Sequence, residues 1–330
     1  MNKRVALLYG GASKEHAVSL MGYEYMSSLL KQTNYDIIPV YITESGEWRI
    51  RLRGKDTAAF PTSNHGGSLY TGYGFIKIDV AVPLLHGVGG EDGTVQGALE
   101  CAGIKYVGAD VVTSAICLDK TYTKALAVSL GIPVIDGVSF TRREDTRSAL
   151  ARCERLGFPM FIKPSRLGSS IGAYPVFTKE DFLAHFPDAS NDGDGLVCVE
   201  KYVGSKRELE CAFFEMDGKR TVTPPGEILT DGFYGYGEKY GGKVNTAAVA
   251  QLDAVTVSEI IGYAKTLADA VNLRHLGRID FFLSDGRIYF NEINTVPGFT
   301  AESLYPKMLE AYGVDPGRAI EYFIEDALCS

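Results

Sequence analysis

The feature that most constrains this chain is a repeated order of short apolar run, glycine turn and helical stretch. Residues 5–9 form a strand-length apolar run that ends at Gly10-Gly11 and leads into a helical stretch over about 15–31. Residues 36–42 and 79–85 read as further strands. The second of these ends in His86-Gly87 and a glycine-rich loop, followed by a helix over about 95–102. Alternation of this kind predicts an open parallel α/β sheet, with ligands at the carboxyl ends of the strands. The stretch 54–74, rich in Gly, Ser, Thr and Asn, reads as a surface loop or small excursion.

A chain of 330 residues exceeds the usual size of one core, so two or three domains are expected. The pattern predicts an N-terminal α/β domain over 1–118, a central unit over 119–203 and a C-terminal unit over 204–330. The central unit opens with a helix to about 130, a Gly131-Ile132-Pro133 break and strands near 138 and over 160–163. The third follows a strand over 196–203. It runs through a strand over 208–216, a Gly- and Tyr-rich loop at 231–243, a helix over 254–271, a hairpin and a helix from about Pro316.

A net charge of -8 and the lack of any basic run argue against nucleic acid as the main partner. The first apolar run is too short for a signal peptide, and no stretch is long enough to span a bilayer. Six scattered cysteines without Cys-x-x-Cys spacing suit reduced thiols in a cytoplasmic protein.

The hairpin over 278–294 concentrates the chemistry. Its two apolar, alternating runs flank a Ser284-Asp285-Gly286 turn. Residues two apart share a strand face, so Arg278 goes with Asp280, and Glu292 with Asn294. An odd-length loop would pair Arg278 with Glu292 and bring all four to one face. Two carboxylates and an amide oxygen among Phe, Ile and Leu are costly to bury unless cations satisfy them. Hard oxygen ligands beside an arginine suit magnesium and a polyphosphate.

Other motifs admit two readings each. Lys163 to Gly172 mixes glycines, hydroxyls and two cations after a strand, which suits a phosphate-covering loop or an ordinary turn. Glu200-Lys201-Tyr202-Val203 at a strand end could present backbone groups to a flat heterocycle or be a charged terminus. Glu208 could bind ribose hydroxyls or face water. In the His86–Gly97 segment the helix N-terminus favours an anion, while Asp92 or Thr94 could be a plain N-cap. Glu15 could hold a substrate ammonium or simply favour a helix N-terminus. Tyr234, Tyr236, Lys239 and Tyr240 among glycines suit a lid that excludes water.

In order and spacing these segments resemble the D-alanine–D-alanine ligases, an ATP-grasp family, over essentially the whole chain. The segments that carry the resemblance are Gly10-Gly11 to Glu15 with Val18-Ser19-Leu20, His86 to Gly97, Asp119-Lys120, Lys163 to Gly172, Tyr234 to Tyr240, Arg278 to Asp280, and Asn291 to Ser303. The resemblance implies three α/β domains with ATP between the central and C-terminal ones. It implies phosphate contacts from Lys120 and Lys163, with Ser169 and Ser170 in the covering loop. Adenine would lie on Glu200, Lys201, Tyr202 and Val203, and ribose on Glu208. Asp280, Glu292 and Asn294 would bind two magnesium ions, with manganese as a possible substitute.

For the amino acids, the resemblance implies that Glu15 grips the first D-alanine, near His86, in a set completed by Ser169 and Tyr240. Arg278 and the Gly298 amide would stabilise the oxyanion, while Ser303 and Leu304 line the second D-alanine site. Lys239 and Tyr234 belong to the lid, the former toward ATP and the latter toward substrate. A homodimer making D-Ala-D-Ala for cell-wall precursors is expected. Relatives that use D-serine or D-lactate commonly carry arginine where this chain has Leu304, so Leu304 with Lys239-Tyr240 favours D-alanine. His16 stands where arginine is usual, a change expected to alter a helix-start contact.

Overall fold

The computed structural model describes residues 2–229 and 245–329, and three sheets organise them. The first contains β1 (Arg4–Gly10), β2 (Asp36–Ile42), β3 (Trp48–Leu52), β4 (Lys55–Thr62), β5 (Ser68–Thr71), β6 (Gly74–Lys77), β7 (Val80–Pro83) and β8 (Lys105–Tyr106) in the order β6-β5-β4-β3-β2-β1-β7-β8. Only β2, β1, β7 and β8 are parallel. The other strands extend the sheet as an antiparallel meander. The stretch read as a surface loop is therefore corrected: most of it is β4 and β5. Its Ser, Thr and Gly content masks a strand pattern because one face of this extension is exposed, leaving few apolar positions to reveal alternation.

β1 shows why the parallel part is apolar throughout. Val5 and Leu7 point to one side, where they meet Met26 and Leu30 of α1 (His16–Leu30). Ala6 and Leu8 point to the other, against Val95 and Leu99 of α2 (Thr94–Ala102). A strand covered on both faces has no polar side to alternate with.

α3 (Val111–Leu118) and α4 (Lys120–Ser129) lead to the second sheet. Its strands are β9 (Gly137–Phe140), β10 (Met160–Pro164), β11 (Tyr174–Val176) and β12 (Val197–Lys201), ordered β11-β10-β12-β9 and packed with α5 (Thr146–Cys153) and α6 (Lys179–Asp192). The third sheet runs β16-β15-β13-β17-β18, with β14 also on β13. These are β13 (Arg207–Met216), β14 (Lys219–Val222), β15 (Gly226–Leu229), β16 (Asn245–Ala247), β17 (Leu276–Ser284) and β18 (Arg287–Asn294). α7 (Ala254–Ala270) packs on this sheet. α8 (Leu304–Ala311) and α9 (Pro316–Cys329) close the chain.

α9 does not stay with the third sheet alone. Ile320, Phe323 and Ile324 share one core with Val5, Leu7 and Val80 of the first. Truncating a fully buried Phe such as Phe323 typically costs ~3–5 kcal/mol, so the chain's last helix is structurally part of its first sheet.

Candidate active site

The β17–β18 hairpin turns on two residues, Asp285 (φ 49) and Gly286 (φ 72), with Ser284 opposite Arg287. Two left-handed residues in succession match the turn that follows the natural strand twist. The expected odd-length loop is thus corrected. A two-residue loop alone would leave Glu292 and Asn294 on the face opposite Arg278 and Asp280. A bulge prevents this: Phe281 pairs with Phe290, but Asp280 pairs with Glu292, so Asn291 is an extra residue. All four polar side chains share one face as expected, yet Arg278 stands opposite Asn294 and not Glu292.

On that face Arg278 donates twice to Asp280, from Nε and Nη2, each at 2.8 Å, and lies 3.2 Å from Glu210. Asn294 Nδ2 donates to Asp280 at 3.0 Å. Lys120 Nζ lies 2.9 Å from Glu292 and donates to the Leu167 carbonyl at 2.8 Å. Burial lowers the pKa of Arg278, but Asp280 and Glu210 outweigh it and raise it well above the usual value. Among the described residues no group of three or more His, Cys, Asp or Glu is placed to hold a metal. The donor set is two carboxylates and one amide oxygen, and both carboxylates already meet cations. Hard oxygens on one face, built to meet positive charge, fit magnesium.

A second wall comes from the first sheet. Glu15 is the N-cap residue of α1, where its carboxylate accepts a hydrogen bond from Ser169 Oγ, 154 positions away. Ser169 and Ser170 both have left-handed backbones (φ 53 and 58). His16 Nδ1 donates to the Gly11 carbonyl at 2.6 Å, and Nε2 lies 3.3 Å from the Tyr41 hydroxyl, a helix-start contact that braces the glycine turn. His86 Nδ1 donates to the Val296 carbonyl at 3.0 Å, and burial lowers its pKa although Glu15 pulls upward. Glu91 accepts from Gly87 N–H and Val296 N–H, both at 2.9 Å. Burial pushes its carboxyl up to about 7 against those two donors. The N-cap of α2 is neither Asp92 nor Thr94 but Gly93, while Asp92 braces the loop by accepting from Gly89 and Thr94 N–H.

These walls enclose one cavity of about 880 Å³. The loops after β1 and β7 contribute Glu15 and His86, the start of α4 Lys120, the loop after β10 Ser169, and the hairpin Arg278, Glu292 and Asn294. The following turn adds Gly298, Ser303 and Leu304. Ser303 precedes α8, and Leu304 both lines the cavity and packs in the core.

A second cavity is lined by Phe161, Lys163, Glu200, Tyr202, Lys206 and Phe282, together with Lys201 and Val203. Lys163 Nζ lies 2.9 Å from Glu200 and 3.2 Å from Asn291 Oδ1, which ties this cavity to the bulge. Glu200 also meets Lys124. Burial pushes Glu200 up, but Lys124 and Lys163 overcompensate and hold it at about 2. Lys206 lies over the Phe282 ring at 3.7 Å and pairs with Glu208 at 3.2 Å.

Sequence reasoning missed Lys124, Glu91, Glu210 and Asn291. Lys124 follows Lys120 by four, a spacing that shares a helix face and could have flagged it. Glu210 sits two beyond Glu208 on the same strand. Nothing in sequence marks Asn291 as the bulge. Tyr234, Tyr236, Lys239 and Tyr240 lie outside the described residues.

Two family models match the chain, "D-ala D-ala ligase N-terminus" over residues 4–109 and "D-ala D-ala ligase C-terminus" over 126–325. A D-alanine–D-alanine ligase of Mycolicibacterium vanbaalenii is 37% identical, covering 98% of this chain and 97% of its own length. The solved D-alanyl-alanine synthetase A of Vibrio cholerae superposes with a TM-score of 0.91 at 32% identity, covering 100% of this chain and 99% of that one. VanG, a D-Ala:D-Ser ligase of Enterococcus faecalis, gives 0.87 at 34%, covering 99% and 100%.

Proposed function

Because the chain belongs to the D-alanine–D-alanine ligase family, ligases of the ATP-grasp fold, we propose that it uses ATP to join two D-alanine molecules into D-Ala-D-Ala for cell-wall precursors. The observation that carries this reading is the single cavity in which Glu15, Ser169, Arg278, Glu292 and Asn294 converge from distant parts of the chain.

The chemistry follows from the groups in place. Glu15, with Ser169 beside it, holds the ammonium of the first amino acid and leaves its carboxylate toward the hairpin. ATP lies in the neighbouring cavity, with its adenine against Glu200 to Val203, its ribose toward Glu208, and its phosphates near Lys120, Lys163 and the Ser169–Ser170 loop. The first carboxylate oxygen attacks the γ-phosphorus, the bond to ADP breaks, and an acyl phosphate forms. Asp280, Glu292 and Asn294 would hold two magnesium ions, and those ions would supply positive charge that offsets the charge on the transferring phosphoryl group. The neutral amine of the second amino acid, seated near Ser303 and Leu304, attacks the acyl carbon. Arg278 and the Gly298 N–H stabilise the oxyanion, after which the bond from the acyl carbon to phosphate breaks and the departing phosphate takes up the proton that the amine nitrogen loses.

Four buried cysteines and two exposed ones, all free, support a cytoplasmic enzyme, and a homodimer follows the family expectation. Among the described residues no helix is long and apolar enough to cross a membrane. The likeness to a D-Ala:D-Ser ligase supports a second reading, D-serine as acceptor, which Leu304 opposes. Phosphate release with ATP, magnesium and D-alanine, with and without D-serine, tests both when products are identified by mass. D-Ala-D-Ala as main product upholds the proposal. A D-Ala-D-Ser product overturns its acceptor, and no release overturns it altogether.

A further inference from the structure

Lys124 has no role in the reaction described above, yet it is buried and ion-paired. It lies on α4, one helical turn after Lys120, so the two lysines share a helix face. Lys120 reaches Glu292, while Lys124 reaches Oε1 of Glu200. The other oxygen of Glu200 takes Lys163 at 2.9 Å. All three side chains are nearly excluded from solvent, at 11%, 4% and 11% exposure for Lys124, Glu200 and Lys163. Lys163 pairs with Cys198 across β10 and β12, and Phe161 with Glu200, so Lys163 and Glu200 are diagonal neighbours on one face. Their contact is built into the sheet and does not depend on Lys124.

The charge count gives Lys124 its significance. Lys163 and Glu200 alone sum to zero, and a carboxylate that close would cancel the lysine's field at the cavity both residues line. With Lys124 on the second oxygen, two cations share one anion and the group carries one net positive charge. Charges buried this deeply are screened little by salt.

We propose that Lys124 is a positioning residue that occupies Glu200 so that the charge of Lys163 stays available to a polyphosphate. Burial lowers the pKa of Lys124, whereas Glu200 raises that of Lys163 despite its burial, which agrees with Lys163 keeping its proton. The inference rests on the nucleotide-binding reading of this cavity. A purely structural ion pair would instead affect every ligand of the cleft equally.

Calorimetry on the full chain in magnesium-free, low-salt buffer, with tripolyphosphate and adenosine as separate probes, distinguishes the two. In Lys124→Met the tripolyphosphate affinity is expected to fall roughly tenfold, about 1.4 kcal/mol, with adenosine affinity unchanged. The KM for ATP should rise while that for D-alanine stays fixed. Lys124→Arg should keep the wild-type values. The variant Lys124→Met with Glu200→Gln removes one charge of each sign, so its tripolyphosphate affinity should return to within about threefold of wild type. Equal losses for both probes, no loss at all, or a double variant as weak as the single one would each overturn the proposal. Wild-type protein that binds neither probe nor ATP would sink the nucleotide reading itself.

Discussion

The two walls of the large cavity are built on opposite principles. The hairpin face joins Arg278, Asp280, Glu292 and Asn294 within one local unit, and its geometry follows from strand register. The wall from the first sheet is assembled over long separations. Glu15 meets Ser169 154 positions away, and Glu91 bonds Val296 at a separation of 205. A local wall fails when its register fails, and an assembled wall fails one clasp at a time.

The largest effect is expected at the hairpin wall. Its register depends on the bulge: were Asn291 to pair with Asp280, Glu292 would stand opposite Ile279 and face away from Arg278. Glu292→Gln leaves register intact and removes one carboxylate charge. Phosphate release should drop by more than the roughly 10–100-fold typical of losing an outer-shell metal partner. Near-normal turnover in that variant would remove Glu292 from the metal assignment.

The same contrast explains which parts of the site are legible in the sequence. One face for four hairpin residues follows from a period of two plus a turn signal, and so it was legible. The pairing within it was not, because a bulge is one extra residue whose cause lies in packing across strands. Glu15, His86 and Ser169 were legible as motifs, but the sequence holds no local trace of Glu91 as the clasp between two loops. The meander over β3 to β6 was hidden for a related reason: exposed positions such as Phe60, Tyr70 and Phe75 blur the apolar alternation. Lys124 was hidden because its partner lies 76 positions away.

Glu91 tests the assembled wall. Glu91→Ala leaves the buried Gly87 N–H without an acceptor, at about 1–3 kcal/mol, and frees the partly buried Val296 N–H, and it should raise the KM for D-alanine more than that for ATP. An equal rise in both would mean that the clasp supports the whole fold and not this wall. Its titration has a defined sign. The folded-state pKa is raised from 4.5 to about 7, so the folded protein binds the proton more tightly than the unfolded chain. This contribution to stability is complete below about pH 4.5 and is lost as pH rises to about 7. Melting temperature should decline less steeply across that window in Glu91→Gln than in wild type. Parallel curves would show that the two N–H donors hold Glu91 ionised throughout.

Leu304→Arg should cost the least total activity and change its direction most. Leu304 begins α8 with its side chain divided between the cavity and the core, next to Tyr305 and Met308. An arginine there cannot remain in the core without a partner, so it must extend into the cavity, where the second amino acid is proposed to sit. A fixed cation at that point favours an acceptor that offers an additional hydrogen-bond acceptor oxygen, as the D-serine hydroxyl does and the D-alanine methyl does not. The ratio of D-Ala-D-Ser to D-Ala-D-Ala made from an equimolar mixture should rise by roughly tenfold or more, the scale on which one hydrogen-bonding group discriminates. An unchanged ratio would mean that acceptor choice is not made at the start of α8. In that case neither cavity wall would set specificity, although both would still position the reaction.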